Sequence, residues 1–144
     1  MFLCLIVGTI YSYSQCSFPS GATQKGATQS FCVSAPPQSQ NVSNATGKNF
    51  ILLNVVQGFT YEFSVGDAFP SNSENLDIFN MSNINIGFSS GPNGATITNW
   101  VAPYSGQVKI VLSFDACNFS SVSGRIITLT LLNVGNTLDN QNAR

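Results

Sequence analysis

The chain has 144 residues, a formal net charge of −1, five Lys+Arg and no histidine, and only 8% of its residues are charged, against about 25% in an ordinary domain. So few cations leave no electrostatic footprint for nucleic acid. Without histidine there is no Ser-His or Cys-His nucleophile pair and no His-based zinc site, and the length is that of one domain with its own core.

The chain opens on a short apolar run, Phe2, Leu3, Leu5, Ile6, Val7 and Ile10. It is too short to span a bilayer but suits the apolar region of an export signal. Small residues at Ser12 and Ser14 fit a signal peptidase site, so residues 1–14 read as a signal peptide cut between Ser14 and Gln15. No membrane span is expected after cleavage, and the expected location is secreted or cell-surface. A Gln-Cys amino terminus results, and Gln15 is able to cyclise.

Cys4 leaves with the signal. Cys16, Cys32 and Cys117 then face an oxidising compartment, where three cysteines do not all pair within one chain. Cys16–Cys32 is the most local closure, stapling a flexible polar loop with about 3 kcal/mol of chain-entropy stabilisation; Cys117 is then a buried free thiol or pairs outside the chain. Cys32–Cys117 is the alternative. No spacing matches a zinc ligand set, and no cofactor or metal is expected.

Residues 15–49 read as an extended or loop segment, because Val33 to Asn49 is rich in Pro, Ser, Gln, Asn and Thr and Pro36-Pro37 opposes ladder pairing. Strand signals then recur between Gly, Asn, Ser and Pro punctuation. Phe50–Val56 is the first, and Gln57-Gly58 turns it. Phe59, Tyr61, Phe63 and Val65 alternate with Thr60, Glu62 and Ser64, the period of a strand with one buried face. Gly66 to Asn75 reads as a loop. Leu76–Asn80 and Ile84–Phe88 are short strands, and Gly91-Pro92-Asn93-Gly94 is a turn. Ala95–Val101 follows, broken by Ala102-Pro103. Val108, Ile110, Leu112 and Phe114 mark the next core face. A loop holding Cys117 leads to the last strand, Arg125–Leu132, and residues 134–144 read as a frayed tail. Residues 50–133 therefore predict one all-β domain together with 15–49. The expected architecture is an antiparallel, jelly-roll-like β-sandwich of about seven to eight strands.

Candidate sites are few. Trp100 and Tyr104 flank Ala102-Pro103, either packing at the strand end or forming an aromatic platform for a glycan. Asp67, Glu74, Asp77 and Asp115 read as loop or loop-edge carboxylates, solvated unless Asp77 and Asp115 converge on calcium, and Glu62 as a surface residue. No carboxylate pair is placed for glycoside chemistry. Asn-x-Ser/Thr occurs at Asn41, Asn44, Asn80 and Asn118, as expected by chance in so polar a chain. Edge strands built of Thr, Ser and Asn are weakly guarded against pairing with other chains.

Two blocks carry a family resemblance. Asn54-Val55-Val56-Gln57-Gly58-Phe59-Thr60-Tyr61-Glu62-Phe63-Ser64 resembles an aromatic-led strand pair of secreted bacterial modules. Trp100-Val101-Ala102-Pro103-Tyr104-Ser105-Gly106-Gln107-Val108 is similar to their aromatic-x-Ala-Pro-x-Ser-Gly stretch. These modules resemble the bacterial pre-peptidase C-terminal domain, in a variant found in exported Bacteroidetes proteins whose mature chains often open with Gln-Cys. The resemblance implies a non-catalytic jelly-roll-like module with an accessory or surface-attachment role. It differs in having isolated Glu74 and Asp77 where many relatives carry consecutive acids, and no second cysteine soon after Cys117. The alternatives are a carbohydrate-binding module using Trp100 or Tyr104, and a subunit of a surface adhesin or fibre. The partner is accordingly a glycan or a neighbouring surface protein.

Overall fold

The computed structural model of the chain describes residues 15–32, 36–66, 73–92, 94–115, 117–119 and 124–135. The expected signal, Asp67 and residues 136–144 lie outside the described residues. Among the described residues there are nine strands: β1 (Thr23–Gln24), β2 (Gln38–Ala45), β3 (Asn49–Val55), β4 (Thr60–Val65), β5 (Ser73–Phe79), β6 (Asn85–Pro92), β7 (Thr96–Val101), β8 (Gly106–Phe114) and β9 (Arg125–Asn133). They form a five-stranded sheet, β1-β3-β8-β5-β6, facing a four-stranded sheet, β2-β9-β4-β7. Among the described residues no helix is long and apolar enough to cross a membrane.

The pairing is nested. β5 pairs with β6, β4 with β7, β3 with β8 and β2 with β9, all antiparallel. A long antiparallel ribbon doubled on itself and rolled into two sheets gives this pattern, which is that of a jelly roll. Cross-links β4–β9 and β5–β8 complete the sheets. β1 adds a short parallel contact at the edge of β3, Thr23 opposite Asn49 and Gln24 opposite Phe50.

Side chains alternating along the strands meet between the sheets. Ile51, Leu53, Tyr61, Phe63, Leu76, Ile78, Ile110, Leu112, Ile127, Leu129 and Leu131 are all buried there, each contributing on the order of 1.5–3 kcal/mol by leaving water. The turn at Gln57-Gly58 forms as expected. Gly58 takes φ +80°, a left-handed conformation that favours glycine, and the amide of Phe59 donates to the Val56 carbonyl at 3.1 Å.

Two expectations about the strands need correction. Residues 38–45 are a strand, not a loop; its pairing is supplied by backbone and by polar side chains, Ser39 to Thr130 and Thr128 to Asn41, both at 2.9 Å. The loop before Leu76 is shorter than expected, because β5 starts at Ser73. Residues Glu74 to Phe79 are all buried, since β5 lies between β8 and β6 and is covered on both faces.

The disulfide also differs from both sequence-based pairings. Cys16 is bonded to Cys117 across 101 residues, with Cα atoms 5.5 Å apart, and Cys32 is a free, exposed thiol. The physical reason is the course of residues 15–32. Instead of closing on themselves they form a strap that crosses the outer face of the five-stranded sheet around Cys16 and Phe18 and then runs along its β3 edge. The amides of Thr23, Lys25 and Gln29 donate to the carbonyls of Lys48, Phe50 and Leu52. Cys16 is thereby seated at one end of the sheet, beside the tight Phe114–Asn118 turn that carries Cys117.

Removing the long-range bond with Cys16→Ser is expected to lower stability in denaturant unfolding by roughly 4 kcal/mol, from the loop-closure entropy of a ring of this size. Cys32→Ser is expected to change stability by no more than about 0.5 kcal/mol. Non-reducing peptide mapping is expected to return the Cys16–Cys117 pair.

Candidate functional site

The strap covers a small buried layer on the outer face of the five-stranded sheet. Asn75, Asp77 and Phe79 of β5 point there, as do Val111 and Ser113 of β8 and Leu52 of β3, and all are buried. Alternation explains it, since Leu76, Ile78, Ile110 and Leu112 of the same strands face the main core. Phe18 of the strap packs on Phe50 and, edge to face, on Phe79, with ring centres 5.7 and 5.3 Å apart. Lys109 caps this cluster, its Nζ 4.5 Å from the centre of the Phe18 ring while donating to Asn83 Oδ1 at 2.7 Å. Cation–π contacts of this kind contribute about 0.5–1 kcal/mol at the surface.

Polar groups occupy the other end of the layer. Cys16 Sγ lies 3.6 Å from Ser113 Oγ, and Asn75 Nδ2 donates to Ser113 Oγ at 3.3 Å and to the Asp115 carbonyl. Asn85 Nδ2 donates to Asp77 Oδ1 at 2.6 Å. Asp77 is fully buried, and its Oδ2 has no hydrogen-bond partner. Burial pushes its carboxyl up to about 6, while hydrogen bonds from Asn85 and from the backbone of Cys16 pull it back down. Next to this layer an open pocket of about 620 Å³ is lined by Ser17 to Gly21, Gly47, Lys48 and Cys117 to Phe119. Gly47 is required there, because a Cβ would run into the Phe119 carbonyl.

Glu74 and Arg125 form the second buried polar group. Arg125 Nε lies 2.7 Å from Glu74 Oε1, with both side chains almost wholly buried, and the guanidinium stands 5.2 Å from the centre of the Phe114 ring. The pair links β5 of one sheet to β9 of the other. The expectation of solvated loop carboxylates is thus corrected for Glu74 and Asp77, both of which sit on a central strand under cover. Asp115 is exposed, on a turn, and Glu62 is half-buried on the outer face of the four-stranded sheet. Among the described residues no three of His, Cys, Asp and Glu are grouped to hold a metal ion.

Trp100 sits opposite Tyr61 across a β-bulge that turns its half-buried ring inward. Its ring centre lies 5.7 Å from that of Phe63 and 6.0 Å from that of Tyr61, and its Nε1 donates to the Ile86 carbonyl at 3.2 Å. Tyr104 donates its hydroxyl to the Gln107 carbonyl at 3.2 Å; burial raises its phenol pKa. Both rings pack against the main core. The fold does not bring them together with the strap-covered layer. Arg125, Asn75 and Asn85 were not singled out by sequence reasoning. The legible signal was Glu74-Asn75-Leu76-Asp77-Ile78-Phe79, a strand-like alternation whose polar half also needs cover.

Two outcomes follow from these buried charges. In a chain whose Gln15 is peptide-bonded on its amino side, Asp77 holds its proton more tightly folded than unfolded. Stability is then greatest below the unfolded value of 3.8 and falls as pH rises through about 6. Asp77→Asn is expected to remove this slope and to raise stability above pH 6 by up to about 3 kcal/mol, read by denaturant unfolding across pH 4–7.5. Glu74→Ala is expected to cost about 3–5 kcal/mol, because it strands the Arg125 charge in the interior.

Comparison with known proteins adds three findings. No curated protein matches the chain. Among solved structures it is similar to PliG, a periplasmic inhibitor of g-type lysozyme from Aeromonas hydrophila, at 16% identity and a TM-score of 0.45, over 75% of this chain and 98% of that one. A family described as a domain of unknown function, DUF8695, matches residues 38–136, from the first residue of β2 to just past β9. The match takes in well over half of the 144 residues, and the chain belongs to this DUF8695 family.

Proposed function

We propose that the protein is an exported, non-catalytic jelly-roll module with an accessory or surface-attachment role, and that it attaches through the outer face of its four-stranded sheet. Export is supported by the Cys16–Cys117 bond, which persists in oxidising compartments. The likeness of the Asn54–Ser64 and Trp100–Val108 blocks to secreted bacterial modules supports the same role.

The observation that carries the attachment surface is the polar ladder across that outer face. Register aligns Asn41, Thr128, Ser64 and Thr96 in one rung and Ser39, Thr130 and Glu62 in the next. Rungs lie about 7 Å apart and strands about 4.8 Å apart. Cross-strand hydrogen bonds Ser39–Thr130 and Thr128–Asn41 hold side chains in place, so little rotamer freedom is lost on contact. The two rungs present hydroxyls and amides with Glu62 as their carboxylate, and exposed Val101 and Ile126 flank them at either end of the face, a composition suited to a surface with hydrogen-bonding groups at its centre and apolar side chains at its margins.

A second reading, a subunit of a surface assembly, is favoured by β2. It is an edge strand of eight residues, QSQNVSNA, with no charge and no proline, and such edges invite pairing with another chain.

Purified residues 15–144 are expected to bind producing cells saturably, and Thr128→Lys with Thr130→Lys to weaken that binding at least tenfold in a protein that circular dichroism shows still folded at the assay temperature. Binding unchanged by this double substitution overturns the assigned face, and turnover on peptide or polysaccharide panels that co-purifies with the protein overturns the non-catalytic role. Concentration-dependent association in light scattering, lost on Ser43→Lys, selects the assembly reading.

A further inference from the structure

We propose that removal of the leader supplies the missing counter-charge of the fold: the new α-ammonium of Gln15 pairs with the buried Asp77 carboxylate and locks the strap. The inference rests on the reading that cleavage falls between Ser14 and Gln15.

Three observations carry it. Asp77 is fully buried and its Oδ2 has no hydrogen-bond partner, an arrangement that costs several kcal/mol for an ionised carboxylate. Next, the strap delivers Cys16 to this carboxylate, through a backbone hydrogen bond, and the disulfide to Cys117 holds it there. Finally, the nitrogen of Gln15 stands within about 4 Å of the Cys16 amide nitrogen along the backbone, while Gln15 itself is exposed. A positive charge at that nitrogen therefore keeps part of its hydration while lying one residue from the backbone group that bonds the carboxylate. With a peptide bond before Gln15 the same nitrogen is a neutral amide.

Among the described residues no other charge is paired with Asp77. Around Asp77, β6 presents Asn85 and Phe88, and β8 presents Val111 with Ser113 and Lys109 to either side. Lys109 is engaged with Asn83 and the Phe18 ring. Glu74 and Arg125 pair with each other on the opposite face of β5. Asp115, at the end of β8, receives Asn75 at its carbonyl. An α-ammonium, with an ordinary pKa of about 7.7–8.0, is charged where Asp77 is ionised, so the pair forms across the neutral range and weakens as the amine deprotonates.

The test uses protein released by a tag protease that leaves residue 15 first, carrying Gln15→Ala so that the amino group does not cyclise. The free-amine form is compared with the same chain bearing an acetyl group or a Gly-Ser extension. The free amine is expected to lower the Asp77 titration midpoint, followed by carboxyl-carbon NMR, by at least about one pH unit. At pH 7 it is expected to raise the melting temperature by several degrees, and Asp77→Asn is expected to abolish that difference. Equal midpoints in free and blocked forms overturn the proposal, as does a melting difference that survives Asp77→Asn; should that variant not fold, the carboxyl titration decides alone. Amino-terminal sequencing of the exported protein tests the cleavage reading separately, so a different start site refutes that reading without touching the pairing measured in vitro.

Discussion

Covering the outer face of the five-stranded sheet is the constraint on which the rest of the structure depends. A two-layer sandwich buries one face of each sheet, yet Leu52, Phe79, Val111 and Ser113 on the far side are buried as well. The segment around Cys16 and Phe18 provides that third layer, and residues 23–29 continue it along the β3 edge. Residues 15–32 have little apolar content of their own, with Phe18 on the outer face and Phe31 packed against the main core, so they are held mostly by backbone hydrogen bonds to β3 and by the bond to Cys117. Polar residues accumulate beneath the strap because its own backbone and sulfur give them partners. The layer is consequently weaker per residue than the main core, and it depends on being tied at one end.

Between the sheets the interior is nearly all apolar, and its exceptions stand at one end. Glu74 and Arg125 are buried together there, where β5 and β9 of opposite sheets begin. Apolar side chains of similar volume often match or exceed a buried ion pair in stability. What the pair adds is a directional tie between two layers otherwise joined by non-directional packing. Asp77 is the opposite case, a buried carboxyl pushed up to about 6 by its surroundings, on the same strand but the other face.

The strands that alternate were legible in the sequence. Phe59 to Val65 and Val108 to Phe114 have a clean period of two because each has one face toward a single apolar core, and their turn residues lie where the chain reverses. β2 was not legible, for a physical reason: of its inward positions Gln38, Gln40 and Val42, one is apolar. The two glutamines reach across to the carbonyls of Cys32 and Ser30 and bridge to the strap. The buried carboxylates were missed for a related reason. A charge on a strand ordinarily marks the wet face, and no local pattern announces that a distant segment covers it. Trp100 was placed correctly at a strand end, but its inward turn comes from a bulge around Asn99, which adopts φ +53°, and an Asn within a strand signals such a bulge only weakly.

The order of the cysteines has a consequence for biogenesis. As the chain emerges from its amino end, Cys16 and then Cys32 appear long before Cys117, whose bond to Cys16 spans 101 residues. An oxidant acting on thiols as they appear meets Cys16 and Cys32 first, with a short flexible tether between them and therefore a small entropic barrier to the wrong ring. The native bond then has to be recovered by thiol–disulfide exchange, with Cys32 as the departing sulfur. The same thiol is left free on the surface of the finished fold. A disulfide isomerase catalyses the class of exchange that this cysteine order calls for.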